Sequence, residues 1–416
     1  MKKRVATESG ITGITRRGFT AGAAAAGIVA GTAPFNVGRA QGASLKVGVL
    51  LPVSGVQAIL GQDCRRGAEV AGGILKKLGL PSLEIMNGDT ESNVDVARAR
   101  AERLIGEGAQ LLVGAFDSGA TTAIAQVAEQ RGVPLVINIA AAPQITEQGY
   151  KFVFRNFPTA LMILRDAFSN QKEVVESTGI APKSAVYMHV NDTFGIAMQK
   201  GIGAMMPKFN LPYKIVETIA YDPAARDLSV EVAKAKATGA EVLLVTSRLN
   251  DAMLITREMV KQRWTPTAVF SMGPGWYDDH YLKTLAKFSD GPISFAPFYD
   301  PNKKVSKLLE AAMAAAHPAI NLNANHIYTF EALLVAADAY KRAASVDPKT
   351  LAEAIRKTDI KDNVSTGPGI QFNDKGQNDK LRNSAIQNRG GKLAVVAPKD
   401  ASNAKPELPI KRYDMR

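Results

Sequence analysis

Short apolar runs alternate with stretches of helical spacing along most of the chain. In its first part, runs of aliphatic and β-branched residues predict strands, and the amphipathic stretches between them predict helices. The predicted strands are 45–51, 83–86, 111–114 and 134–137, and the predicted helices are 62–78, 94–106 and 121–131. This alternation is typical of a parallel sheet covered by helices.

The same alternation restarts near residue 184. It predicts strands at 184–188, 213–216, 242–245 and 267–270, with helices at 228–238 and 252–263 between them. Helical patterns follow at 303–315, 327–343 and 349–357, then a short strand at 370–372 and a hairpin at 385–396. Two successive α/β halves predict two lobes, although no repeat in the sequence is strong enough to align.

The first 43 residues have a different pattern. Arg16 and Arg17 precede a weakly apolar run over 21–30, and small residues then continue to Ala43. A basic start, an apolar run and a small-residue exit predict a secretory signal, and the paired arginines favour the twin-arginine route. The run is too short and too rich in Gly and Ala to span a bilayer. The alternatives are an N-terminal membrane anchor and a basic arm. We expect cleavage between about Ala40 and Ala43 and a periplasmic location for the rest.

Charge and cysteine content narrow the class further. Residues 1–40 carry six basic side chains against Glu8, a net +5, so the formal net charge of +12 falls to +7 without them. This positive charge is spread along the chain, which argues against nucleic-acid binding and suits anionic ligands. Cys64 is the only cysteine of the sequence and lies in a predicted helix, where we expect a packed residue. No later segment is apolar enough to span a membrane, and we expect a soluble protein.

The sequence gives little support for catalysis. His189, His280, His317 and His326 are scattered, and none lies at metal-ligand spacing with another histidine or the cysteine. The acidic turn at 278–280 could hold a cation, but a solvated loop is the simpler interpretation. Ser118 is not in a nucleophile elbow, and no glycine-rich segment matches a nucleotide-binding pattern. We therefore expect no enzyme, no cofactor and no metal. His189 could line a cleft or be an ordinary buried histidine.

Four segments, in order and spacing, carry a resemblance to a known family. They are LKVGVLLPVSGVQAILG at 45–61, GAFDSGAT at 114–121, GVPLVINIAAAPQIT at 132–146 and FNDKG at 372–376. The chain resembles the branched-chain amino-acid type of periplasmic solute-binding protein, which serves ABC importers. The resemblance extends over about 44–412.

This resemblance implies an α/β fold of two doubly wound parallel-sheet lobes joined by three crossovers, with the ligand cleft between them. Open α/β sheets also favour ligands at the carboxyl ends of their strands. We expect crossovers near 157–161, 293–297 and 366–370. The first lobe would then comprise 44–158 and 295–368, and the second 159–294 and 369–416. The partners implied are a small ligand and a membrane permease, and we expect a monomer that closes by hinge motion.

The resemblance also points to ligand contacts on the first lobe. Ser118 matches the family serine that contacts ligand carboxylate, and the N–H groups around it open a predicted helix. Its alternative role is to cap that helix. Asp117 is less expected beside an anion, and we expect it to cap or to pair with a basic side chain. Ile139 and Ala140 would offer backbone groups, while Ala141 replaces a family threonine.

Further positions depart from the amino-acid-binding pattern. Leu60 stands at an aromatic position, Phe194 at a tyrosine position, and Gly275 at the position of the acid that pairs with ligand ammonium. Arg248 follows the strand at 242–245 and could bind a carboxylate, or it could be a solvated arginine at the rim. Trp276 and Tyr277 would add aromatic surface to the cleft or pack on the outside.

A cleft without the ammonium acid but with an added arginine predicts a ligand that is a carboxylate without an α-amino group. An aromatic acid or a 2-oxo acid fits this description. The alternatives are a branched-chain or other amino acid, and a ligand-sensing domain of the same fold. A hydrolase or lyase is a weaker possibility because a nucleophile–base pair is missing from the sequence.

Overall fold

The computed structural model describes residues 44–300, 302–399 and 402–416. A five-stranded parallel sheet with the order β2-β1-β3-β4-β5 forms the centre of the first lobe. Its strands are β1 (Leu45–Leu51), β2 (Leu83–Asp89), β3 (Leu111–Gly114), β4 (Leu135–Ile137) and β5 (Val153–Arg155). β1 and β3 are buried almost throughout, as their nearly continuous aliphatic runs predict.

A seven-stranded sheet forms the centre of the second lobe, in the order β14-β13-β10-β9-β8-β6-β7. Its strands are β6 (Ser184–Val190), β7 (Lys214–Tyr221), β8 (Val242–Thr246), β9 (Ala268–Ser271), β10 (Ile293–Pro297), β13 (Asn383–Arg389) and β14 (Lys392–Ala397). The strands β6 to β10 are all parallel. The hairpin β13–β14 extends this sheet, with β13 antiparallel to β10. A small separate pair consists of β11 (Asp359–Ile360) and β12 (Ile370–Gln371).

Helices cover both sheets. In the described residues they are α1 (Ala58–Lys77), α2 (Val94–Gly106), α3 (Ser118–Arg131), α4 (Ala160–Thr178), α5 (Thr193–Met205), α6 (Ser229–Ala237), α7 (Leu249–Lys261), α8 (Asp279–Leu285), α9 (Lys304–Ala316), α10 (Ala324–Ala343) and α11 (Pro348–Arg356). α10 packs along α1 and over β3 and β4, so it belongs to the first lobe although it follows the second sheet in sequence. α4 packs against β10 and β13 and belongs to the second lobe.

Both sheets place their carboxyl ends where the lobes face each other. In the first sheet the strand order reverses between β1 and β3, and in the second between β6 and β8. Such switch points leave a crevice at the carboxyl edge, which is where open α/β sheets bind ligands. The two-lobed α/β fold predicted from the sequence is confirmed.

Several segments differ from the sequence predictions, among them β5, α4 and β10. The sequence pattern predicts neither β5 nor α4. In α4, the buried polar residues Asn170 and Gln171 interrupt the apolar stripe that would indicate a helix. The segment expected as a crossover at 293–297 is strand β10, because its backbone pairs with both β9 and β13. The chain therefore leaves the second sheet only after β10. The exact lobe boundaries remain a prediction.

The signal segment predicted at 1–43 lies outside the described residues, so its interpretation also remains a prediction. Among the residues that are described, no helix has the length and apolar character needed to cross a membrane.

Candidate functional site

A cavity lies between the lobes, at the carboxyl ends of both sheets. Residues that follow β3, β4, β5, β8 and β9 contribute to it, together with residues of β10 and the first turns of α4, α5 and α10. This position is the one that the strand order predicts for a ligand.

The walls of the cavity are mainly apolar and aromatic. Four phenylalanines contribute, two from each lobe: Phe116, Phe157, Phe194 and Phe295. Aliphatic surface comes from Ile139, Ile163 and Met272, among others. Such walls favour a ligand with a flat or branched apolar body.

Arg248 is the charged residue of the cavity lining, and it connects the two lobes. One terminal nitrogen (Nη1) lies 2.6 Å from Oδ2 of Asp192 in the second lobe. The other (Nη2) lies 3.1 Å from Oδ2 of Asp117 in the first lobe. The guanidinium also lies 5.2 Å from the centroid of the Phe194 ring. Both carboxylates therefore hold the arginine between them, so it is not the free fork for a ligand that the sequence suggested.

The local sequence fixes Arg248 in place. It directly precedes α7, and its backbone N–H donates to Oδ2 of Asp251, three residues further on. Burial opposes the charged form of Arg248, but the carboxylates of Asp192 and Asp117 raise its pKa above the ordinary arginine value. The guanidinium is thus permanently charged in the closed arrangement of the lobes.

Asp117 has two roles in the structure, both of which the sequence allowed. Its Oδ1 accepts hydrogen bonds from the N–H groups of Gly119 and Ala120 and so caps α3. Its Oδ2 binds Arg248 and also accepts from Nε2 of Gln57. The predicted anion cradle at the start of α3 is therefore partly filled by the protein's own carboxylate. Ser118 is the first residue of the helix and not its cap.

Ser118 and the loop after β4 supply the remaining donors of the first lobe. Oγ of Ser118 accepts weakly from the N–H of Ala142 at 3.4 Å, and its own proton has no acceptor among the described residues. The N–H of Ala141 likewise has no partner in the part of the chain that is described. Both Ser118 and Ala141 line the cavity.

Arg155, which sequence analysis missed, orients this loop from behind. Its Nη1 binds the carbonyl oxygens of Ala140 at 3.2 Å and Ala142 at 2.7 Å, and its Nε binds Gln377. Since a trans peptide points its C=O and N–H in opposite directions, the N–H of Ala141 is turned away from Arg155. Burial lowers the pKa of Arg155 to about 9, so the side chain remains cationic near neutral pH.

Two further polar residues line the cavity: Tyr277, for which the sequence left cleft and outer packing open, and Asn325, which the sequence analysis missed. Tyr277 follows β9 and is 4 % exposed, and Asn325 lies in the first turn of α10 with the same exposure. Neither side chain forms a hydrogen bond with any described residue. Asn323, not Asn325, caps α10. A local sequence pattern could not have placed the two residues in one cavity, because they come from different lobes.

Several predicted site residues lie outside the cavity lining. A Cβ on Gly275 would lie 2.3 Å from the carbonyl oxygen of Arg248, so this position faces backbone and not the cavity. Trp276 is fully buried, with Nε1 donating to Oγ of Ser247. Leu60 lines a neighbouring groove that also includes Arg248, and Ala140 presents its carbonyl to Arg155. Ser118, Ile139, Ala141, Phe194 and Arg248 do come together in the lining, and Asp117 adjoins it through Arg248.

The acidic turn at 278–280 is not the solvated loop that the sequence suggested. Asp278 is 2 % exposed and caps α8 by accepting from the N–H of His280. Burial, followed by the nearby Asp63, raises the pKa of Asp278 to about 7. The described residues contain no cluster of three or more His, Cys, Asp or Glu that could hold a metal ion.

His189 and Cys64 are both buried packing residues. Nδ1 of His189 lies 3.0 Å from the carbonyl oxygen of Val190, and its ring stacks on Tyr187. Cys64 is inaccessible, and burial raises the pKa of its thiol to about 12. A nucleophilic role for Cys64 would need a lowered pKa and access, so the packed interpretation from the sequence agrees with the structure.

Comparison with known proteins agrees with this geometry. The sequence pattern of the periplasmic binding protein family matches residues 44–386. A Leu/Ile/Val-binding protein homolog 8 of Brucella abortus is 25 % identical over 385 residues, covering 87 % of this chain and 93 % of that protein.

Solved structures show the same fold. A leucine-binding protein LivK from Thermotoga maritima superimposes with a TM-score of 0.73 at 22 % identity, covering 86 % of this chain and 99 % of that one. An ABC-transporter solute-binding protein from R. palustris, in complex with benzoate, gives a TM-score of 0.73 at 19 % identity, covering 87 % and 100 %. The family pattern spans most of the described chain, and the two-lobed fold is shared. The chain therefore belongs to the periplasmic binding protein family.

Proposed function

We propose that the protein captures a small, largely apolar organic carboxylate and delivers it to an ABC importer. An aromatic acid or a branched 2-oxo acid is the expected ligand class. The observation that carries the proposal is the lining itself: four phenylalanines and aliphatic side chains surround a cavity whose charged residue is Arg248. The free donors of Ser118 and Ala141 are where the ligand carboxylate would dock.

The ion pairs of Arg248 explain why an α-amino group is disfavoured. Asp117 and Asp192 both direct Oδ2 at the guanidinium, and Oδ1 of each caps a helix. An ammonium group in this cavity would lose water without gaining a carboxylate of its own, which costs several kcal/mol. A carboxylate that lacks the amino group avoids this cost.

One observation favours the alternative ligand, an amino acid. Two carboxylates and one guanidinium leave a formal charge of −1 at the bridge between the lobes. If Arg248 turned aside on ligand binding, Asp117 or Asp192 could pair with an ammonium. The similarity to leucine-binding proteins is consistent with this alternative.

The proposed mechanism is capture without chemistry. The carboxylate docks on the first lobe, and the second lobe closes with Phe194 and Arg248 over it. The closed form is then presented to a membrane permease. We further propose that the protein is exported to the periplasm through its twin-arginine-type signal and acts as a monomer.

The decisive experiment is a matched-pair thermal unfolding assay on the purified protein. Leucine and 4-methyl-2-oxopentanoate differ only at the α-carbon, where one has an ammonium and the other an oxo group. Phenylalanine and phenylpyruvate form a second pair, and benzoate extends the series. A ligand at 100 times its dissociation constant stabilises the folded state by about 2.7 kcal/mol, which raises the melting temperature by about 3 °C for a chain of this length.

Stabilisation by the oxo acids or benzoate, without stabilisation by leucine or phenylalanine, is the expected result. Stabilisation by the amino acids alone would overturn the proposal and favour the alternative. Calorimetric titration of the ligand that gives the largest shift would then establish the affinity.

A further inference from the structure

We propose that Tyr277 and Asn325 form a second polar subsite that binds a hydroxyl group on the ring of an aromatic acid. The inference rests on the proposed function and narrows it from aromatic acids in general to hydroxylated ones. It makes Tyr277 and Asn325 specificity-determining residues, one on each lobe.

Burial without a partner is the first argument. Each residue is 4 % exposed and lines the cavity, yet neither the Tyr277 hydroxyl nor the Asn325 amide has a hydrogen-bond partner within the described part of the chain. The polar atoms of both side chains are not among the fully enclosed atoms without a partner, so they remain accessible at the cavity. Side chains in this state at a ligand cavity are expected to be satisfied by the ligand.

Their local structure does not explain their polarity. The cap of α10 is Asn323, whose Oδ1 accepts from the N–H of Asn325, so the side chain of Asn325 is not needed for the helix end. Tyr277 belongs to a short turn after β9, and its ring packs with Ala296 and Ile386. Leucine in place of Asn325 and phenylalanine in place of Tyr277 would pack equally well.

The chemistry of the pair selects the ligand group. A phenol and a carboxamide are both neutral, and each can donate and accept a hydrogen bond. A hydroxyl group also donates one bond and accepts another, whereas a second carboxylate or an ammonium would need a counter-charge. The phenylalanines of the same cavity provide faces for an aromatic ring.

Ser118 and Ala141 bind the acid from other elements of the first lobe, after β3 and β4. The carboxylate and the hydroxyl group of the ligand are thus bound by separate sets of residues. Loss of the polar groups of Tyr277 and Asn325 should lower the discrimination between hydroxylated and unsubstituted aromatic acids without abolishing binding.

The test is calorimetric titration of the purified protein with benzoate and with 2-, 3- and 4-hydroxybenzoate. We expect at least one hydroxy isomer to bind about three- to tenfold more tightly than benzoate, the gain from one or two neutral hydrogen bonds. Tyr277→Phe and Asn325→Leu should each reduce the ratio of the two affinities towards one, because each weakens binding of the hydroxy acid more than binding of benzoate.

Tyr328→Phe is the matched control. Tyr328 packs edge-on against Phe157, so it lies behind the wall and does not itself line the cavity. Loss of the Tyr328 hydroxyl should leave the preference for the hydroxylated acid over benzoate unchanged. Melting curves of all three variants confirm folding, and the preference of the unmodified protein is measured without any substitution.

The outcomes separate the two proposals. If benzoate and the hydroxybenzoates bind equally well, or if both variants weaken all acids to the same degree, the subsite is refuted while capture of aromatic acids stands. If no aromatic or oxo acid binds and amino acids do, both proposals fail.

Discussion

Replacing Asp117 with asparagine should open the cleft of the ligand-free protein. The substitution keeps Oδ1, which caps α3, and replaces Oδ2, which holds Arg248 across the lobe boundary. Asparagine caps helices about as well as aspartate, so α3 should remain intact. The interlobe ion pair, in contrast, is lost.

The magnitude follows from the contact. Arg248 is 8 % exposed and Asp117 is 19 % exposed at their side chains, and the two atoms lie 3.1 Å apart. A hydrogen bond to a charged group at such a site contributes about 1.5–3 kcal/mol. When the lobes separate, Arg248 keeps Asp192, which belongs to its own lobe. The ratio of closed to open molecules should therefore fall about tenfold or more in D117N.

Asp192→Asn provides the matched control. Asp192 also caps a helix through Oδ1, at Gly195, and also binds Arg248 through Oδ2, but from the same lobe as the arginine. D192N removes a contact that is present in both open and closed forms. It should change overall stability but not favour opening.

The assay is a distance measurement between spin labels or fluorophores on the two lobes. The exposed residues Glu102 and Lys234 are suitable positions as E102C and K234C, because the buried Cys64 will not be labelled. We expect D117N to shift the distribution towards longer distances and D192N to leave it unchanged. An equal shift in both variants, or none in D117N, would refute the idea that this ion pair holds the lobes together.

Three other predictions concern single residues. Ser118→Ala should weaken binding of the carboxylate ligand about tenfold or more in calorimetry, since it removes a donor to a charged group, and unchanged affinity would contradict docking at Ser118. Burial raises the pKa of Asp278 to about 7, so the folded state holds a proton that the unfolded chain releases. The stability this proton provides is lost as pH rises from about 4 through 7, by at most about 1.4 kcal/mol per pH unit. In denaturant unfolding, the free energy of unfolding of D278N minus that of the unmodified protein should therefore increase from about pH 4 to about pH 7. A difference that stays constant over this range would contradict the raised pKa of Asp278. Cys64, with a thiol pKa of about 12, should resist iodoacetamide at pH 8 in the folded protein and react in urea, as mass spectrometry would show.

Local patterns predicted the elements well where burial is continuous. The first strand, the third strand and the helix at 94–106 agree with the structure residue for residue. Each of them carries its own signal, an aliphatic run or an amphipathic repeat with Asn93 as the cap. α4 carries a weaker signal, because buried amides occupy part of its apolar face.

The site was predictable only in part, because its contacts join distant segments. Arg248 lines the cavity, but its partners lie 56 and 131 residues earlier in the chain. Tyr277 and Asn325 become neighbours of one cavity only after both lobes have formed. Gly275 shows the opposite problem, since its place in the sequence suggests a cavity residue while its backbone geometry excludes one.

Arg155 has a consequence for engineering this protein as a sensor. It fixes the loop at 140–142 from the side opposite the cavity, and it is fully buried. The donors proposed for the acid group are therefore held by residues that need not be altered when the walls are redesigned. Substitutions at Phe116, Ile163 or Met272 can reshape the space for the apolar body while the anchoring end stays in place. A library confined to the walls should retain recognition of carboxylates and vary only in which acid it reports.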